Sequence, residues 1–199
     1  MGTGVGVTWN RGPLSRVRIS MKPKDLPEEA RQLADFAVRV MKQLGEARLS
    51  VATAESCTGG LLASLLTDLP GHSGAFERGF VTYSEPAKCE LLGIDPVLIA
   101  RHGVVSKEIA AAMAEGALAH SRAGVAVGIT GFADGAGEGG EPGLVHVAAR
   151  RKGGKLIARE CHYGDLGRDR VRMLAARAAL ELLEEAAADL VAAGQRAAP

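Results

Sequence analysis

Aromatic residues make up only 4% of the 199-residue sequence, with a single Trp. A chain so poor in flat side chains offers no stacking platform for single-stranded nucleic acid. It also lacks an excess of either charge: 24 Lys and Arg stand against 23 Asp and Glu, for a formal net charge of +1. No global field therefore draws it to a polyanion or a membrane surface. No apolar run approaches the roughly 20 residues of a membrane-spanning helix. The three cysteines (Cys57, Cys89, Cys161) are odd in number and unpaired in spacing, which argues against a disulfide framework and for a reducing, cytoplasmic setting. No two Cys or His residues have metal-ligand spacing, so no metal or other cofactor is expected. What the sequence has in quantity is glycine, 26 residues, which suits tight turns and close backbone approach to small polar ligands.

Residues 1–20 contain Arg11, Arg16 and Arg18 and no acid, and read as a disordered basic tail without a secretory signal. Residues 21–199 are expected to form a single domain. From 27 to 44, Leu33, Phe36, Ala37, Val40 and Leu44 recur at helical spacing, with Gly45 as a natural stop. Residues 48–54 alternate as a strand, and 58–68 read as a helix opening in Thr-Gly-Gly. A strand over 76–83, short helices near 85–92 and 96–101, and a helix capped by Ser106 follow. Residues 124–130 form an interior strand, 144–150 and 155–162 a hairpin, and 168–193 a last helix. This order predicts an α/β fold, a mixed sheet sandwiched by helices.

The chemistry concentrates in TAESCTGG, residues 53–60. A strand running into a glycine-rich helix start places side chains where ligands of open α/β sheets collect, beside N–H groups suited to an anion or oxyanion. Ser56 and Cys57 are both candidate nucleophiles. A hydroxyl needs a partner to take its proton, and no histidine belongs to a familiar triad pattern. The segment GFVTYSEPAK, residues 79–88, supplies Tyr83 and Lys88, and a desolvated lysine beside a hydroxyl can act as base. The loop GITGFADGAGEGGEPG, residues 128–143, places Thr130 and Gly131 at a strand's end and could cradle a phosphate or act as a lid. Its acids Asp134, Glu138 and Glu141 repel an anion unless they point away. Arg168, Arg170 and Arg172 open the last helix and suit phosphate contact, although pairing with Asp165 or Asp169 is the commoner role.

Together TAESCTGG, GFVTYSEPAK, HGVVS (102–106) and ITG (129–131) resemble the CinA C-terminal domain family, over roughly residues 30–190. The resemblance implies a three-layer α/β/α sandwich and the activity of its nicotinamide-mononucleotide deamidases, hydrolysis of a carboxamide to a carboxylate and ammonia in pyridine-nucleotide recycling. It matches Ser56 to the nucleophile and Tyr83 and Lys88 to its activating pair. Thr58, Gly59 and Gly60 would lie at the substrate, with Ser73 and Thr130 as further polar contacts beside Gly131. Arg168 would meet the phosphate, with Arg172 as the alternative because Gly164–Arg168 carries an insertion relative to the family's Gly-Asp-Arg. The expected partners are a small nucleotide substrate and further copies of the chain in a homo-oligomer, with no nucleic acid and no membrane. Two departures, Asp134 and Glu141-Pro142 in the glycine loop, leave room for a catalytically silent nucleotide- or partner-binding module, or for a differently charged amide substrate.

Overall fold

A computed structural model describes residues 27–68, 73–135 and 140–197; the expected tail lies outside them. The elements are α1 (Glu28–Glu46), β1 (Val51–Glu55), α2 (Leu61–Thr67), a 3-10 turn (Ser73–Ala75), β2 (Phe76–Val81), α3 (Glu85–Leu92), α4 (Pro96–His102), α5 (Lys107–Ala119), β3 (Val125–Gly131), β4 (Leu144–Arg151), β5 (Leu156–His162) and α6 (Arg168–Ala197). The strands form one sheet in the order β2-β1-β3-β4-β5. Strands β2, β1 and β3 are parallel, and the β4–β5 hairpin joins antiparallel. This is the expected mixed sheet.

Alternation along the inner strands decides what each face can hold. Val51, Val125, Val127, Ile129, Val145 and Val147 point toward α1, α2 and α6, whose Leu44, Leu62 and Leu183 complete a core of bulky aliphatics. The opposite face is built from small residues, Ala52, Ala54, Ala126 and Ala148, so α5 can lie close to it. Gly128 marks the closest approach: a Cβ there would stand 2.8 Å from that of Met113. Helices α3 and α4 add Leu92 and Ile99 to this second core. The result is a three-layer α/β/α sandwich.

Element boundaries depart from sequence expectation where the backbone turns left-handed. Helix α1 runs through Gly45 to Glu46, and Arg48, with φ of 54°, turns the chain in the connection to β1, which starts at Val51. Helix α2 begins at Leu61, because Gly59 (φ 60°) and Gly60 (φ 91°) form a turn that no right-handed helix can contain. Ser106 caps α5 as expected, its hydroxyl accepting from the Ile109 amide at 3.3 Å. Because β1, β2 and β3 are parallel, their carboxyl ends share one edge of the sheet, joined there by the start of β4 and the end of β5. The Ser73–Ala75 turn precedes β2 and lies at the other edge.

Candidate active site

Ser56 follows the last residue of β1, and its amide donates to the Ile129 carbonyl at 3.0 Å, which extends the sheet by one residue. The next turn is organised by Glu55. This carboxylate is fully buried and accepts from the amides of Gly60 (3.1 Å), Leu62 (3.1 Å) and Ala63 (2.8 Å), with the Thr53 hydroxyl at 3.4 Å. A strand carboxylate thereby caps α2 in place of the flanking hydroxyls, with its charge at the positive helix end. The left-handed pair Gly59-Gly60 brings those amides round to it. Thr58 is held from the far side, its carbonyl taking two bonds from Arg172, at 3.0 Å from Nε and 2.6 Å from Nη2. The Gly59 amide donates to the Ser56 carbonyl and the Leu61 amide to that of Thr58. The amides of Cys57 and Thr58 are left with no backbone or carboxylate acceptor among the described residues.

Lys88 reaches Ser56 from α3, a helix started by Pro86 and by the Ser84 hydroxyl, which accepts from the Ala87 amide at 3.3 Å. Its side chain is 1% exposed, an unusual state for an amine, and its Nζ lies 3.0 Å from Ser56 Oγ. The same nitrogen donates to the Thr82 carbonyl at 2.7 Å and lies 3.5 Å from that of Tyr83. Burial holds the Lys88 ammonium below its ordinary range, opposed by the weaker attractions of Cys57, Glu85 and Cys89. Three oxygens surround the nitrogen, and they can serve the ammonium's three donors or the neutral amine. When the amine is neutral, the two carbonyls, which can only accept, can take its two N–H groups, and its lone pair then faces the serine hydroxyl. Burial acts oppositely on Cys57, pushing its thiol up to about 12, so that it stays protonated beside the serine.

Ser56 and Lys88 open into a cavity of ≈ 600 Å³ whose wall includes Tyr83, Thr130, Gly131, Asp134 and Arg168. Thr130 anchors one side, its hydroxyl donating to the Val104 carbonyl at 2.7 Å. The Tyr83 side chain is exposed on the cavity wall, which it shares with Arg168, and its carbonyl faces Lys88. Arg168 also makes a bidentate pair with Asp134, Nε to Oδ2 at 2.9 Å and Nη2 to Oδ1 at 2.6 Å. Its partner is thus a residue of the glycine loop, not the neighbouring Asp165 or Asp169. Of the two arginines considered for phosphate, Arg168 faces the cavity and Arg172 is committed to Thr58.

The fold thus gathers Ser56, Lys88, Tyr83, Thr130, Gly131 and Arg168 around one space. Thr58, Gly59 and Gly60 stand behind its wall, and the backbone of Ser73 lies at the far edge of the sheet. Sequence reasoning missed the capping role of Glu55, for which the available signal was an acid at a buried strand end just before two glycines. It also missed the carbonyls of Thr82 and Tyr83, which have no side-chain signature at all. Among the described residues, no three His, Cys, Asp or Glu side chains are grouped to hold a metal ion, and no helix is long and apolar enough to cross a membrane.

Comparison with known proteins agrees with this architecture. The nicotinamide-nucleotide amidohydrolase PncC of Escherichia coli K12 is 44% identical over 158 residues, 78% of this chain and 93% of that protein. A CinA-like protein of Mycobacterium marinum is 52% identical over 106 residues, 53% of this chain and 24% of that longer protein. Among solved structures, the competence/damage inducible protein CihA of Agrobacterium tumefaciens superposes with a TM-score of 0.75 at 40% identity, covering 80% of this chain and 96% of that one. A CinA superfamily protein of Escherichia coli gives 0.71 at 33% identity, covering 76% and 88%. Residues 33–187 match the CinA C-terminal domain, and the chain belongs to that family.

Proposed function

We propose that the chain hydrolyses nicotinamide mononucleotide to nicotinate mononucleotide and ammonia, the class of activity for which its Escherichia coli relative is named. The observation that carries this reading is the buried Lys88 amine at 3.0 Å from Ser56 Oγ, held there by main-chain carbonyls. Neutral Lys88 takes the hydroxyl proton as Ser56 Oγ attacks the carboxamide carbon. The tetrahedral oxyanion is met by the amide of Cys57, which lies on the cavity wall directly after the nucleophile. Lys88 returns the proton to the departing nitrogen, which leaves as ammonia, and an ester joins the acyl group to Ser56. Water, deprotonated by the same amine, attacks the ester; the carboxylate leaves and Ser56 recovers its proton. The Tyr83 carbonyl orients Lys88, and its phenol, with Arg168, lines the end of the cavity suited to the ribose phosphate. This places Tyr83 at binding and orientation rather than in direct proton transfer.

Purified chain given the mononucleotide releases ammonia, and Ser56→Ala abolishes the release while the nucleotide still raises the melting temperature. Undiminished release by that variant would remove the nucleophile. The silent-module reading rests on Asp134 and Glu141; it would be favoured by a thermal shift from the nucleotide without turnover in the unaltered chain. A cytoplasmic location and a homo-oligomer belong to the same proposal. The exposed Val81 and Tyr83 on and beside the edge strand β2 support self-association, which light scattering on the purified chain tests.

A further inference from the structure

Three arginines open α6, and two have their guanidinium spent elsewhere. Arg172 binds the Thr58 carbonyl, and Arg170 pairs with Glu29 at 3.0 Å. Arg168 faces the cavity, and one edge of its donor fork is taken: Nε and Nη2 donate to the two oxygens of Asp134. A carboxylate gripping that edge occupies one of the two bidentate faces a phosphate could use and neutralises the cation for the other, because both anions present two oxygens in a plane to the same group. The balance of charge on the cavity wall points the same way. Its ionisable residues include the acids Glu85 and Asp134 and the bases Lys88 and Arg168. When Lys88 is the neutral base, one cation faces two anions, so a phosphate gains less from Arg168 here than it would beside an arginine without that acidic neighbour.

We propose that Asp134 is a selectivity residue whose carboxylate competes with the substrate's phosphate for the Arg168 guanidinium. This rests on the amidase reading for the identity of the substrate, and on geometry alone for the competition. The Asp134–Arg168 pair is about half-exposed on both sides, at 51% and 45%, so solvent screens it and a doubly charged phosphate displaces the singly charged carboxylate. Asp134 therefore lowers affinity for phosphorylated ligands and leaves unphosphorylated ones untouched. The chain discriminates less between nucleotide and nucleoside than Arg168 alone would dictate.

The test compares the full chain with Asp134→Asn, which preserves size and one acceptor and removes the charge. For nicotinamide mononucleotide the variant's KM falls about three- to tenfold, whereas for nicotinamide riboside it stays constant; added salt narrows the gap between variant and parent. A KM for the mononucleotide that is unchanged or higher would overturn the proposal, as would an equal fall for the riboside. A second arm is independent of turnover. Calorimetric titration with inorganic phosphate shows Asp134→Asn binding about three- to tenfold more tightly than the parent, and adding Arg168→Gln erases the gain. If phosphate binds both chains equally, the competition is refuted whatever the enzyme hydrolyses. If the phosphate gain appears without ammonia release from any nicotinamide compound, the competition stands and the amidase reading falls.

Discussion

Replacing Lys88 with Met interrogates the base and the fold in one variant. Met keeps nearly the volume of the buried lysine stem, so the α3 packing is retained. The exchange removes the amine that stands 3.0 Å from Ser56 Oγ, and loss of a positioned general base is worth about 10²- to 10⁴-fold in kcat. Stability responds in a direction set by the Lys88 shift. Burial lowers the folded-state value below 10.5, so between the two values the unfolded chain binds more protons than the native one. In that window stability rises with pH; below the folded value the penalty is present in full. The parent chain thus gains stability as pH rises toward 10, and the Met variant lacks this gain. Urea unfolding at pH 7 and pH 10, beside ammonia-release profiles over the same range, reads both effects. In the parent, kcat/KM climbs with pH to a plateau as the amine loses its proton. Wild-type turnover by Lys88→Met, or equal pH slopes in the two unfolding series, would refute the neutral-base argument.

Three further outcomes follow from the same turn. Glu55→Gln trades a carboxylate accepting from three amides for a neutral amide that presents its own N–H groups to them, and should cost about 2–4 kcal/mol by denaturant unfolding. Gly60→Ala forces an L-residue to φ of 91° and should cost about 1–2 kcal/mol, with a fall in kcat if the α2 start moves the amides beside Ser56. Cys57→Ala should retain ammonia release, because a thiol raised to about 12 carries no thiolate at neutral pH; loss of activity with an intact fold would return Cys57 to consideration as nucleophile.

The sheet was legible in the sequence because its signals are local and periodic. Apolar runs such as Val125–Gly131, the Lys152-Gly153-Gly154 turn and the Ser106 cap each report on their own few residues. Boundaries shifted where a single residue turned left-handed, as Arg48 did, since φ at a non-glycine position has no pattern to read. At the site, residue types at a strand's end suggested Ser56 and Lys88, and the structure places these side chains in contact across 32 positions. The pairing of Arg168 with Asp134 was not legible: nearer acids at 165 and 169 competed for it on paper, and only the path of the loop decides between them. The same holds for Glu55, whose three acceptor bonds depend on two glycines bending the chain back over it.

The atoms that aim the Lys88 nitrogen belong to the peptide backbone, at Thr82 and Tyr83, and such atoms survive every point mutation. Divergence among descendants is then free to rewrite the rim, with Asp134 and Glu85 as ready handles, without dismantling the proton-transfer apparatus. An engineer seeking new amides should accordingly randomise the mouth first and leave the floor alone.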